Sequence, residues 1–244
     1  MARLQRFRPS AALRHRVASI EIIEGGGHAV ILPSSSAVLG FQYRGRVRAG
    51  DALLAPAGIT GIQSKARTYS YEPNTGSVLI RFTPDGVNCL GIPGAQLANQ
   101  SVALDVLLPQ ARVAEARERL DAAGDAAARI AAIEAFLTGL PYVPDPVVTR
   151  ALVLLDNAAE GGSISEIAGA LGLSVRQLER RFLARVGVTP KRFVALRRLE
   201  RALASVKTRA SWTAAAVDAG YYDQSHFIRD FRRFAGTTPR KFFR

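Results

Sequence analysis

The chain of 244 residues holds one cysteine, one tryptophan, one methionine and three histidines. With Cys89 alone, neither an intramolecular disulfide nor a multi-cysteine metal site can form, and the residue is expected to fill core space. His15 and His28 stand apart from any cysteine or carboxylate set, and no nucleophile, base and orienting group occur at a recognisable spacing. Acids are scarce as well: 20 Asp plus Glu stand against 33 Lys plus Arg. They form no cluster of the kind that metal-assisted strand cleavage requires. An enzyme is therefore not expected, nor a cofactor. No apolar run approaches a membrane span, and the basic segment 1–15 lacks the apolar stretch of a signal peptide, so the expected location is cytoplasmic. The triple glycine 25–27 lacks the Lys and Ser/Thr of a phosphate loop.

What is abundant is positive charge, and it is unevenly placed. The net charge is +13. From Val147 onward there are 18 Lys plus Arg against 8 Asp plus Glu, whereas Met1 to Pro146 holds 15 against 12. Basic charge gathered in one part of a chain is the footprint of phosphate-backbone binding. A membrane surface would instead need a basic helix with a broad apolar face left free. Apolar residues make up 48% of the chain, which suits globular folding, and the length allows two domains with real cores.

The basic third also repeats itself. Ile164, Ile167, Ala168 and Gly172 return as Trp212, Ala215, Ala216 and Gly220. Leu178, Arg180, Phe182, Gly187, Thr189, Pro190 and Phe193 return as Phe227, Arg229, Phe231, Gly236, Thr238, Pro239 and Phe242. Ser163 to Phe193 and Ser211 to Phe242 thus follow one template, the mark of a duplicated supersecondary unit. Ser163 with Glu166, and Ser174 with Gln177, predict two capping boxes at successive helix starts. Gly172 and Gly187 are placed to end those helices. Two short helices across such a turn predict a helix-turn-helix, at 163–187 and again at 211–236. Between the copies, Phe193, Leu196, Leu199, Leu203 and Val206 predict a central helix from about 193 to 206, with Arg197, Arg198 and Arg201 among them.

The second helix of each unit carries a polar face. Arg176, Glu179, Arg180 and Arg181 occupy it in the first; Gln224, Ser225, His226 and Arg229 lie beside Phe227 and Phe231 in the second. Arg can grip guanine O6 and N7 together, Gln can pair with adenine, and Glu can accept from cytosine N4. Successive major-groove faces lie about 34 Å apart, so two rigidly joined heads could read one side of a duplex. His226 is expected to face DNA or pack partly, not to bind a metal.

These residues resemble the AraC/XylS family of bacterial transcription regulators. The resemblance rests on Ile164-x-x-Ile167-Ala168, Leu173-Ser174-x-x-x-Leu178-x-Arg180-x-Phe182, Gly187-x-Thr189-Pro190, Gly220 through Phe227, and Gly236-Thr237-Thr238-Pro239, and covers about Pro146 to Arg244. It implies that Arg176, Glu179 and Arg180, with Gln224, Ser225, Ile228 and Arg229, fall on base-contacting positions. Trp212 and its alanine run depart from the commoner aliphatic pattern and put the docking of the second unit in question.

The N-terminal half reads differently. Apolar runs at Val17–Ile23, Ala29–Leu32, Ala37–Tyr43, Asp51–Ala55, Ile59–Ser64, Thr68–Tyr71 and Ser77–Phe82, broken by turn residues, predict a small antiparallel sheet or barrel. Short helical turns are expected at 85–90 and 93–98, and amphipathic helices at 109–122 and 125–140. That helix pair could cover the sheet or form a dimer seam, and the seam is favoured. Arg44, Arg46 and Arg48 would share a face in an extended strand, as a solvated edge. This half resembles, more weakly, the sensor-like domain of one subgroup of the family, at Leu32-Pro33-Ser34, Leu79 through Pro84, Gly91-Ile92-Pro93 and Leu97 through Leu104.

The expected architecture is an α+β N-terminal domain over 1–140, a linker over 141–146 and an all-α DNA-binding domain over 147–244. Double-stranded DNA is the expected partner, with a small-molecule effector or a homodimer contact at the N-terminal domain. The alternative is a constitutive DNA-binding protein whose N-terminal half only dimerises.

Overall fold

The computed structural model describes residues 2–157, 162–206 and 212–243. The N-terminal half forms ten strands among these residues: β1 (Arg3–Phe7), β2 (Val17–Glu24), β3 (Gly27–Ile31), β4 (Val38–Arg44), β5 (Val47–Ala49), β6 (Ala52–Leu53), β7 (Ala57–Thr60), β8 (Arg67–Tyr71), β9 (Gly76–Phe82) and β10 (Ser101–Ala103). They pair antiparallel into two sheets, β1-β2-β9-β4-β7-β10 and β3-β8-β5-β6.

The period of two decides what each face meets. Along β9, Val78, Ile80 and Phe82 are buried in the core with Ile20, Ile22, Leu39 and Phe41 from neighbouring strands. Over this face lie α2 (Gln110–Ala122) and α3 (Ala126–Thr138), with Phe136 meeting Phe41 edge-on at 5.3 Å between ring centroids. Ser77, Leu79 and Arg81 point the other way, toward Tyr69 and Tyr71 of the four-stranded sheet, and the two sheets enclose a cavity of about 590 Å³. Cys89 is buried in the same core, and burial pushes its thiol up to about 11, so it stays protonated.

Three expectations change here. Val113, Ala116, Leu120, Ile133, Phe136 and Leu137 are spent covering the sheet, so the helix pair does not offer those apolar stripes as a dimer seam. Arg44, Arg46 and Arg48 do not share a strand face, because Gly45 at φ +67° turns the chain between β4 and β5. Arg46 pairs with Glu72, and Arg44 donates to the Asn74 carbonyl. β1, β5 and β10 were not anticipated, being short or rich in polar side chains.

The prolines of 141–146 do not leave that segment free. Tyr142 donates to Asp85, the Val143 carbonyl accepts from Arg185, and Asp145 pairs with Arg181 at 2.7 Å. Asp145 also accepts from the amides of Val147 and Val148, capping α4 (Pro146–Asn157). From there the fold is helical: α5 (Ile164–Ala170), α6 (Val175–Val186), α7 (Pro190–Val206), α8 (Trp212–Asp218), α9 (Gln224–Ala235) and α10 (Pro239–Phe242). The short α1 (Gly94–Leu97) belongs to the N-terminal half. No helix among the described residues is long and apolar enough to cross a membrane.

Candidate nucleic-acid interface

Each reading head is set by local hydrogen bonding before packing acts. In the first, Ser163 Oγ accepts from the Glu166 amide at 3.2 Å while Glu166 accepts from the Ser163 amide at 3.1 Å. Ser174 and Gln177 repeat the device at the start of α6, at 3.3 and 2.8 Å. Gly172 takes φ +67° between the helices, a conformation that costs glycine little. In the second head, Asp223 caps α9 by accepting from the His226 amide at 2.7 Å. Ser211, expected to open that unit, lies outside the described residues.

Packing then fixes which face of each recognition helix is free. Leu178, Phe182 and Val186 bury one side of α6, and Phe227, Phe231 and Phe234 bury the matching side of α9. Val148, Ala151 and Leu155 of α4 join the same core, as does the buried face of α7 through Phe193, Leu196, Leu199 and Ala202. At 17 residues, α7 starts earlier than the spacing suggested and spans roughly 25 Å at 1.5 Å per residue. Trp212 explains its own departure from pattern: it stacks on Phe227, with centroids 5.6 Å apart.

The expected contact residues fall on the free sides. Arg176, Glu179 and Arg180 are exposed on the first two turns of α6, and Gln224, Ser225 and Arg229 on the first two turns of α9. Ile228 is half-buried against the core, so only part of it is available. His226 packs partly, its ring edge-on to Tyr221 at 5.1 Å. Arg181 belongs to Asp145, not to the open face.

Other arginines organise the domain. Arg197 grips both carboxylate oxygens of Asp156, at 2.7 and 3.0 Å, and Arg201 donates to the Asp156 carbonyl, tying α7 to α4. Burial raises the Asp156 pKa, but the Arg197 and Arg201 charges outweigh it and leave the carboxyl below its ordinary value.

The motif reading missed how the two domains meet. Asp85, 3% exposed, accepts from Nε and Nη2 of Arg185 at 2.8 and 3.1 Å, and Asn88 donates to the Arg185 carbonyl. Burial opposes the Arg185 charge, yet Asp85 raises its pKa overall. Gly94 and Gly187 touch backbone to backbone beside this pair: a Cβ on Gly187 would lie 2.6 Å from the Gly94 oxygen. At the other end, Arg192 donates to the Ser64 carbonyl, the Ala66 amide donates to the Phe234 carbonyl, and Glu200 accepts from the amide and hydroxyl of Ser35. Only tertiary structure reveals these partners, which lie more than 90 residues apart.

Residues 167–244 match a family model described as a helix-turn-helix domain. The chain is 34% identical over 104 residues to the HTH-type transcriptional regulator RipA of Corynebacterium glutamicum, covering 42% of this chain and 31% of that protein. It is 36% identical over 89 residues to the HTH-type transcriptional activator RhaS of Escherichia fergusonii, covering 36% and 32%. The matched segment thus spans about a third of the length of these curated relatives. Among solved structures, ToxT from Vibrio cholerae superposes over 99% of this chain and 97% of its own, with TM-score 0.52 and 10% identity. ToxT with an unsaturated fatty acid bound covers 91% and 92%, with TM-score 0.53 and the same identity; both likenesses concern the fold. With two capped, arginine-bearing helix-turn-helix units joined by one helix, the C-terminal part of the chain is a helix-turn-helix domain similar to those of these transcription regulators.

Proposed function

We propose that this protein is a sequence-specific, DNA-binding transcription regulator that sets α6 and α9 into successive major grooves. Arg176, Glu179, Arg180, Gln224, Ser225, Ile228 and Arg229 are its base-reading set. The observation that carries the reading is the matched pair Arg180 and Arg229. Each is exposed one turn into its recognition helix, and neither is ion-paired among the described residues. The charge excess from Val147 onward supports backbone contact along the same surface. Control comes from a small molecule held by the N-terminal domain, a reading supported by the enclosed cavity and by the ligand-bound ToxT of similar fold. The protein works in the cytoplasm and catalyses no reaction, so nuclease and hydrolase assays are expected to stay blank. The test is an affinity series on a selected DNA site against unrelated duplex: wild-type protein should prefer the site, and equal affinity for both would refute sequence reading.

A further inference from the structure

Resting on the reading that α6 and α9 are the base-reading helices, the side chains they expose bear on what DNA each one takes. The two helices are built on one frame. Each runs 12 residues, from an N-cap at Ser174 or Asp223 to a glycine at positive φ, Gly187 at +89° and Gly236 at +72°. Leu178 and Phe182 are buried on the first as Phe227 and Phe231 are on the second. Counting from the caps therefore pairs Arg180 with Arg229. It pairs Val175, Arg176 and Glu179 with Gln224, Ser225 and Ile228.

Of these four pairs only the arginines agree. Each puts a guanine at the equivalent place in its segment, since Arg grips O6 and N7 together. Around that contact the first head offers Arg176 and Glu179, both exposed and neither ion-paired among the described residues. Arg176 and Arg180 lie one turn apart on one side, about 6 Å at 1.5 Å per residue, close to two base steps of about 3.4 Å. Glu179 beside them accepts from cytosine N4, whereas guanine and thymine would show it only acceptors. Adenine, with a donor and an acceptor side by side, suits an amide. The amide on this turn, Gln177, is already spent: its Oε1 accepts from the Ser174 amide at 2.8 Å in the capping box.

The second head exchanges these groups one for one. In place of Val175 it has Gln224, exposed and unbonded among the described residues, with both amide ends open to adenine N6 and N7. In place of Glu179 it has the half-buried Ile228, whose outer part suits a thymine methyl. Ser225, in place of Arg176, bonds donors and acceptors alike. We infer that the two heads read unlike segments: α6 one built of G·C pairs, α9 one that sets an A·T pair beside its guanine. One copy of the chain then fits its site in a single orientation. A site of two like segments, repeated or inverted, satisfies only one head.

The test is selection of binding sites from a random-sequence duplex library with the full-length protein, repeated with Arg180→Ala and Arg229→Ala to assign each segment to its head. Expected for wild type is one enriched segment of G·C pairs, altered by Arg180→Ala. A second, about one turn away, should hold adenine and be altered by Arg229→Ala. Gln224→Val, which gives α9 the residue that α6 carries, should lower the preference for that adenine about tenfold and leave the first segment as it was. Glu179→Ile, the converse exchange, should relax a cytosine position in the first segment about as much and leave the second unchanged. Should a variant fail to fold, the wild-type selection decides the matter alone. Two like segments, A·T pairs in the segment assigned to α6, or a Gln224→Val protein that keeps its adenine would each overturn the inference. A site enriched with like segments sinks it and leaves the regulator reading standing; no enrichment of any sequence sinks both.

Discussion

Arginines in the C-terminal domain divide by what they hold. Arg181, Arg185 and Arg197 grip Asp145, Asp85 and Asp156, whereas Arg176, Arg180 and Arg229 meet no carboxylate among the described residues. The first group builds the domain and the second is left for a partner. Replacing Arg180 or Arg229 by alanine should therefore cost about 1–3 kcal/mol on the specific site and relax preference at one base position, with little change in stability. A loss equal on all sequences, read from binding curves on matched and mismatched duplexes, would reassign that arginine to phosphate. Asp156 yields a prediction of the opposite kind. Its folded-state pKa is lowered below 3.8, so the stability it adds is present above that pH and lost as pH falls through the folded value. Melting midpoints of wild type and Asp156→Asn should differ at neutral pH and begin to converge only as pH falls below about 3.8. A gap that persists in acid would show that the carboxylate charge is not what matters.

At the scale of elements, the heads are legible because their signals are local. Ser163, Ser174, Asp223, Gly172 and Gly187 act within a turn of themselves, and each sits where the spacing placed it. Ser174→Ala should lower stability by about 1 kcal/mol in denaturant titration, the usual worth of an N-cap; no change would mean that tertiary packing alone holds the α6 start. Gly187 carries two duties, φ +89° at the end of α6 and close approach to Gly94. Gly187→Ala should cost more than about 1 kcal/mol by the same measurement, since alanine suffers at positive φ even without a clash. The N-terminal elements were less legible, for reasons that can be named. Arg3–Phe7 forms a strand only because β2 offers an edge to it, and Ser101–Ala103 only because β7 does. The apolar stripes of α2 and α3 were plain, but nothing local says whether a stripe meets a sheet or a second chain. Phe41 and Ile80 beneath them decide it.

At the scale of the molecule, the features least visible in the sequence are those made by distant pairs. The cavity exists because β8 stands opposite β9, and the domain junction exists because Asp85 meets Arg185. Neither pair has a spacing to read. The exposed faces of α6 and α9, by contrast, were legible in the spacing of their apolar residues; Ile228 and Arg181 are the exceptions, the first half-buried and the second already paired. Charge spread over that surface gives a bulk prediction: log affinity should fall linearly with log salt as counterions are released, and a flat response would argue against backbone contact. The domain junction makes both heads one body with the N-terminal sheets, since the first is tied at Asp85 and Asn88 and the second at Ala66.

The central claim is that one chain reads two groove segments, one with each head. Base-protection footprinting of the wild-type, Arg180→Ala and Arg229→Ala proteins on one selected site tests it most directly. Two protected major-groove segments about one helical turn apart, on the same side of the duplex, are predicted. Arg180→Ala should erase protection within one segment and Arg229→Ala within the other. A single protected segment, or both substitutions altering the same bases, would contradict the account.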